Sequence, residues 1–296
     1  MITYREYTDV KHHYEYVFCT LIHQSVEMIH WNIENIKKYN KDLNYAIIIH
    51  FNNNDCDIDE RTLPDNVFLS TNAVNTERVL RNNSRLIYAM VQNFKTLKER
   101  LTCDYICLLS SGSGFFRKFH HNKPNLTGSN FCNDLDNTRK SEWNGVFPIE
   151  KLGNISYELA TLKASSSWHF PSIDKDNHFK ENLRKRNFKY IKNGQMTGNI
   201  INTEIASMLI EDLDCLLEKT VIQYPLEEIY ISTYTYNWCI LNNLKMERPF
   251  VMINWNNQEY NITNSDFISK YDKFPCSAIC KLPEDLDHKV RKMLVE

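Results

Sequence analysis

Two short runs, Tyr16-Val17-Phe18-Cys19-Thr20-Leu21-Ile22 and Tyr45-Ala46-Ile47-Ile48-Ile49, are apolar at almost every position. A strand with one wet face alternates apolar and polar residues, so a run without alternation needs cover on both faces. Between the runs, Ser25 offers a helix cap, and Met28, Trp31, Ile33, Ile36 and Tyr39 make an apolar stripe near helical spacing. Strand, helix and strand with short connections is the grammar of a parallel βαβ unit. A short strand at 66–69, a long helix over 84–100 and a strand at 104–109 continue the pattern. The helix is expected to present Leu86, Met90, Phe94, Leu97 and Leu101 on one face. The fold class that follows is α/β, a mostly parallel twisted sheet flanked by helices.

Downstream the pattern is less regular. Residues 115–169 show no clear period, and the adjacent His120 and His121 read as surface, because neighbours on a helix or strand do not face the same way. A basic helix is expected over 180–186. A second helix should bury Ile205, Leu209, Leu213, Leu216 and Leu217 and expose Glu211, Asp212, Asp214 and Glu218. A third helix should run from Pro225 to about Leu241, with Pro225 in its first position. A strand at 250–255, a cap at Asn264-Ser265-Asp266, an apolar run at 277–283 and a helix over 286–295 close the chain. No repeat or linker interrupts it, so residues 1–296 read as one domain. Its nucleotide-binding half would lie at about 14–115 and its acceptor half at about 140–296.

With 42% hydrophobic and 24% charged residues, the composition is that of a globular protein. A net charge of −2 gives no basic field for nucleic acid, which leaves small molecules or neutral polymers as partners. The nine cysteines are scattered without a Cys-x-x-Cys pair, which suits reduced thiols better than zinc or a disulfide framework. No apolar run approaches the ~20 residues of a membrane span, and the first residues lack a signal-peptide core. A cytoplasmic location is therefore expected.

Three stretches carry candidate chemistry. In Tyr224-Pro225-Leu226-Glu227-Glu228 the two carboxylates fall in a first helical turn, where the helix dipole should keep them ionised; one of them is a candidate general base. Ser110-Ser111-Gly112-Ser113-Gly114 follows a strand, where open α/β sheets bind ligands and small residues admit a substrate to the backbone. Asp55-Cys56-Asp57 has the spacing of a cation-holding pair, but it sits in an Asn-rich loop that reads as solvated surface.

Taken in order, these pieces resemble the core-2/I-branching and peptide-O-xylosyltransferase family of glycosyltransferases, including its bacterial and viral members. Leu21-Ile22-His23-Gln24 is similar to the family's first strand end, and Ile49-His50-Phe51-Asn52 to its Ile-His-x-Asp. Leu109 to Phe115 is similar to Leu-Ser-Gly-x-Asp-Phe-Pro, although Ser113 or Gly114 stands where the Asp would be. Gly194-Gln195-Met196 resembles Gly-Ser-Gln-Trp without its Trp, and Leu80-Arg81 replace a Trp-Gly. Pro225-Leu226-Glu227-Glu228 resembles the Pro-Asp-Glu stretch that carries the base, with Thr233 at the matching later position. Arg248 to Trp255, Thr263 to Phe267, and Ala278-Ile279-Cys280-Lys281-Leu282 are similar to the family's closing motifs.

The resemblance implies a GT-A-like fold and an inverting transfer from a nucleotide-sugar donor, UDP-linked, to a hydroxyl of a glycan acceptor. It implies Glu228 as the base and no metal, with Arg248 and Lys281 holding the diphosphate. His23, Ser110 and Ser113 would line the donor site, and Gln195 and Glu227 would contact substrate, Glu227 as a helix-start or acceptor-facing residue. The departures at Leu80-Arg81, Ser113 and Met196 keep open a non-catalytic sugar- or nucleotide-binding relative. A Mg-dependent phosphate-ester hydrolase built on Asp55 and Asp57 ranks lower.

Overall fold

The computed structural model describes residues 2–6, 10–51, 56–71, 85–118, 120–127, 146–148, 177–192, 194, 196–214, 226–247, 250–252, 278–283 and 285–296. In chain order the main elements are β1 (His12–Ile22), α1 (Val26–Asn40), β2 (Tyr45–Phe51), β3 (Val67–Leu69), α2 (Arg85–Arg100) and β4 (Leu101–Leu108). They continue with β5 (Ser113–Phe115), β6 (Leu126–Thr127), β7 (Val146–Pro148), α3 (Asn177–Lys185), β8 (Tyr190–Lys192), β9 (Ile200–Ile201) and α4 (Thr203–Leu213). The last are α5 (Tyr230–Leu241), β10 (Met246–Glu247), β11 (Val251–Met252), β12 (Ile279–Lys281) and α6 (Lys289–Val295).

The main sheet has the order β10-β6-β9-β4-β1-β2-β3. Strands β4, β1, β2 and β3 run parallel, with Val17 opposite both Ala46 and Ile106. β9 runs against both β4 and β6, while β10 is parallel to β6. The mixed α/β fold with a mostly parallel sheet is thus as the sequence led one to expect. A smaller sheet, β11-β12-β5, joins the segment after β4 to two downstream strands.

The continuous apolar runs are explained by two cores, one on each face. Val17, Cys19, Leu21, Ala46 and Ile48 face a cluster built with α2, α3, α4 and α5. Tyr16, Phe18, Ile22, Ile47 and Ile49 face a second cluster with α1, β5, β12 and α6. α1 starts where expected, with the Ser25 hydroxyl accepting a hydrogen bond from the Met28 amide at 3.3 Å.

Several local expectations are corrected. Leu86 is 41% exposed, and Leu101 opens β4 instead of closing the helix; Ile87, Tyr88 and Val91 join the buried face of α2. Asp212 is buried because Arg186 grips it through two hydrogen bonds, Nε to Oδ2 at 2.6 Å and Nη2 to Oδ1 at 2.8 Å, and Tyr234 donates its hydroxyl to the same carboxylate. Charge-assisted bonds of this kind offset the desolvation that exposure would have avoided. His121 is half-buried, its ring 4.5 Å from Tyr105 and 5.9 Å from Tyr16, with Nδ1 3.2 Å from the Tyr16 hydroxyl. Just after Asp57, Ile58–Asp59 pairs with Ile2–Thr3, and Asp59 caps the turn Glu60–Thr62. Leu216, Leu217, Glu218, Trp255 and the cap at 264–266 lie outside the described residues. Among the described residues no helix is long and apolar enough to cross a membrane.

The smaller sheet packs against α1 at Gly114. A Cβ there would stand 2.6 Å from Trp31 Cη2, 2.8 Å from Leu282 Cδ1 and 3.2 Å from Asn35 Oδ1. Trp31 cannot retreat easily, because its Nε1 donates to the Arg291 carbonyl at 3.0 Å and the Arg291 guanidinium lies 4.4 Å from its ring centre. Asn35 is equally fixed, accepting from the Phe115 amide at 2.7 Å and donating to the Phe115 carbonyl at 2.9 Å. Gly114→Ala is expected to destabilise the fold by about 1–3 kcal/mol through overpacking, read as a lower melting temperature; an unchanged melt would contradict the tight contact.

Candidate functional site

The parallel strands β1, β2, β3 and β4 end on the same edge of the sheet, and the segment 109–114 leaves β4 there. Leu109 donates its amide to the Cys19 carbonyl at 2.8 Å and Ser111 to the Leu21 carbonyl at 2.9 Å, so the chain keeps to β1 past the end of β4. Gln24 Nε2 then donates to Ser111 Oγ at 2.8 Å. Arg291, fully buried, donates from Nη2 to the Ser111 carbonyl at 2.8 Å and from Nε to the Pro283 carbonyl. Ser113 is buried and closes the turn on itself, its hydroxyl donating to the Ser110 carbonyl at 2.6 Å and accepting from the Ser110 amide at 3.1 Å. What Ser113 supplies is the shape of the turn, with its hydroxyl engaged inside it.

The same turn contacts both downstream parts of the resemblance. Lys281 stands opposite Ser113 in the β12–β5 pairing, and Leu282 donates its amide to the Gly112 carbonyl at 2.8 Å. Thr197 donates its hydroxyl to Ser110 Oγ at 3.3 Å, and Gly198 donates its amide to the Leu108 carbonyl at 2.7 Å. Phe250 donates to the Gly198 carbonyl at 2.9 Å, which ties β11 to this edge. A little upstream of Thr197, the Gly194 amide donates to the Glu228 carbonyl at 2.6 Å. A continuous path of hydrogen bonds and short chain steps therefore links Lys281, Ser113, Ser110, Thr197 and Glu228. His23 is exposed, just past the end of β1. Arg248 and Gln195 lie outside the described residues, as does Asp55; Asp57 is exposed.

The acidic pair differs from its expected setting. Glu227 and Glu228 occupy a 3-10 turn, Leu226–Glu228, ahead of α5, and not the first turn of α5 itself. Glu227 is buried at 8% exposure, and among the described residues its Oε2 has no hydrogen-bond partner. Burial pushes its carboxyl up from the ordinary 4.5 to about 8, its own backbone amide opposing the rise and the Glu228 charge adding to it. The expectation that both carboxylates are kept ionised is corrected: at neutral pH Glu227 holds its proton, because desolvation outweighs any help from the helix end. Glu228 is half-buried.

Three polar residues here escaped the sequence reading. Lys192 is fully buried in β8, and Thr233 holds its backbone from both sides, at 2.9 Å each. Thr197 carries no pattern of its own. Arg291 lies in the terminal helix and was not singled out. No sequence signal marks a charged side chain whose partners are backbone carbonyls 8 and 180 positions away.

No protein-family model matches the chain, and no curated protein sequence matches it. Among solved structures it is similar to a crystal structure of an active-site mutant of LgtC, at 12% identity and a TM-score of 0.47, with 94% of this chain and 93% of that chain covered.

The raised Glu227 carboxyl makes a pH prediction. Below pH 4.5 the folded and unfolded chains both carry the proton; between 4.5 and about 8 only the folded chain does, so this residue destabilises the fold increasingly as pH rises. Glu227→Gln should therefore match the parent near pH 4.5 and exceed it by at least roughly 2 kcal/mol at pH 8.5, measured by denaturant titration at both pH values. A stability difference independent of pH would refute the assignment.

Proposed function

We propose that the chain is a glycosyltransferase that moves a sugar from a nucleotide-sugar donor, UDP-linked, to a hydroxyl of a glycan acceptor, with inversion and without a metal. The observation that carries this reading is the path from Lys281 through Ser113, Ser110 and Thr197 to Glu228 at the carboxyl edge of the sheet. Segments that resemble one family in order along the chain also meet in space. In this reading Glu228 and Lys281 supply the two chemical poles an inverting transfer needs, a base and a cation.

In this reading the Glu228 carboxylate accepts the proton of the acceptor hydroxyl as its oxygen bonds to the anomeric carbon. The bond from that carbon to the diphosphate oxygen breaks on the opposite face, and the electron pair leaves with the nucleoside diphosphate. Lys281 and Arg248 neutralise the charge that develops there. The Gly194 amide, bonded to the Glu228 carbonyl, fixes the backbone of the base. Neutral Glu227 serves as a hydrogen-bond donor toward the acceptor, a role open only to a carboxylic acid that keeps its proton.

Glu228→Gln is expected to lower transfer by roughly 10²–10⁴-fold while leaving UDP binding intact, measured by release of UDP from a panel of sugar nucleotides. Activity within a few-fold of the parent would exclude Glu228 as base. Lys281→Ala should instead weaken UDP binding by about tenfold, and EDTA should leave turnover unchanged. Loss of turnover in EDTA with recovery in Mn²⁺ would refute metal independence.

A further inference from the structure

A cavity of about 220 Å³ lies between α2 and α4, at the end of the sheet away from the candidate site. Leu101, Thr102 and Cys103, which open β4, border it, whereas the candidate site begins past Leu108, about 20 Å further along the strand. Phe94, Leu97, Lys98 and Leu101 line one wall, and Thr203, Ala206, Ser207 and Ile210 line the other. Both sets follow the spacing i, i+3, i+4, i+7, which is one helix face over two turns. The cavity is therefore a trough about 10 Å long. Its walls run antiparallel: β9 leads toward the start of β4 before α4 begins, and Lys95 of α2 pairs with Asp214 at the far end of α4. Leu101 thus stands near Thr203, and Phe94 near Ile210.

The trough is charged at one end and apolar along most of its length. Lys11, Lys98 and Thr102, all exposed, line the Leu101 end, and there the trough opens to solvent. Lys11 Nζ donates to the Lys98 carbonyl at 2.6 Å. An ammonium has three donors, so this bond fixes Lys11 at the mouth without consuming it. Behind the mouth Phe94, Leu97, Leu101, Cys103 and Ala206 are each more than nine-tenths buried. Burial pushes the Cys103 thiol up to about 12, so it stays neutral and belongs to the apolar lining. No acidic side chain lines the trough. Two ammonium groups over a narrow apolar trough suit a ligand with an anionic head and a single apolar tail. The volume agrees, since it is below the roughly 300–1,000 Å³ of sites for drug-sized molecules and above the about 150 Å³ that admits a benzene ring.

We propose that this trough binds a free medium-chain carboxylate, its alkyl tail lying between α2 and α4 and its head pairing with Lys98 and Lys11. Calorimetry on the full chain with hexanoate, octanoate, decanoate and octanol reads tail and head separately. Each methylene added to the acid should tighten binding by about two- to fourfold until the trough is full. Octanoate should bind about fivefold more tightly than octanol, as expected of a solvent-exposed ion pair. Lys98→Met combined with Lys11→Met keeps the apolar stems and should bring octanoate down to the affinity of octanol. Ser207→Leu should fill the trough and weaken octanoate at least about tenfold, with UDP binding unchanged; Ser207→Val replaces it if the leucine variant does not fold. Vesicles of phosphatidylcholine and phosphatidylglycerol test the other source of an acidic chain, a membrane lipid.

No saturable binding of octanoate, an affinity flat with chain length, or equal affinity for octanoate and octanol overturns the proposal. Octanoate binding that survives Ser207→Leu unchanged does so too. Loss of UDP binding in that variant overturns it by joining the trough to the donor site, and capture by vesicles without binding of monomeric octanoate overturns it in favour of a membrane surface. The trough stands apart from the glycosyltransferase reading, so octanoate binding decides it even for a chain that binds no UDP.

Discussion

The turn at 110–114 is bonded from three directions, and the arrangement of the candidate site depends on it. From one side come the carbonyl of Leu21 and the Gln24 amide group, from another the Arg291 guanidinium, and from a third the Leu282 amide. Each bond alone contributes on the order of 1 kcal/mol. Together they hold the point at which the chain passes from the main sheet to the smaller one. Gly114 is the only residue type that fits there, because Trp31, Leu282 and Asn35 occupy the space a side chain would take. With that turn fixed, Ser110 can meet Thr197, and β12 can bring Lys281 beside Ser113.

A second group of buried polar contacts does the same for the base. Arg186, Asp212 and Tyr234 join α4, α5 and the end of α3 in one bonded cluster. Asn237 and Thr233 then lock α5 to β8. These contacts fix α5 in rotation as well as in depth, which apolar packing alone does poorly. The acidic turn ahead of α5 inherits that orientation.

Much of the sheet was legible in the sequence because it obeys a simple rule: a strand covered on both faces cannot alternate. The runs at 16–22 and 45–49 became the centre of the sheet, and Ser25 capped α1 as its hydroxyl suggested. Where the reading failed, long-range pairing had overridden local pattern. Asp212 looked like an outward charge on an amphipathic helix, yet Arg186, 26 positions away, draws it inward. His121 looked like surface until Tyr16 and Tyr105 enclosed it. The acidic pair was found, but its 3-10 geometry and the protonation of Glu227 depend on the depth of burial, which no spacing encodes. Lys192 was invisible for the same reason: a lone lysine in a strand-like stretch gives no sign that its ammonium is enclosed.

The contact between Arg291 and Ser111 spans 180 positions. Such a contact closes a long loop, and its entropy cost must be met before the bond can form. The central βαβ units, held by nearer partners, can assemble without it. The sheet edge therefore has its described form only with α6 docked, so the region proposed to bind substrate depends on the last helix of the chain. A substitution that displaces α6 would reach the proposed site through Ser111 without touching the central strands.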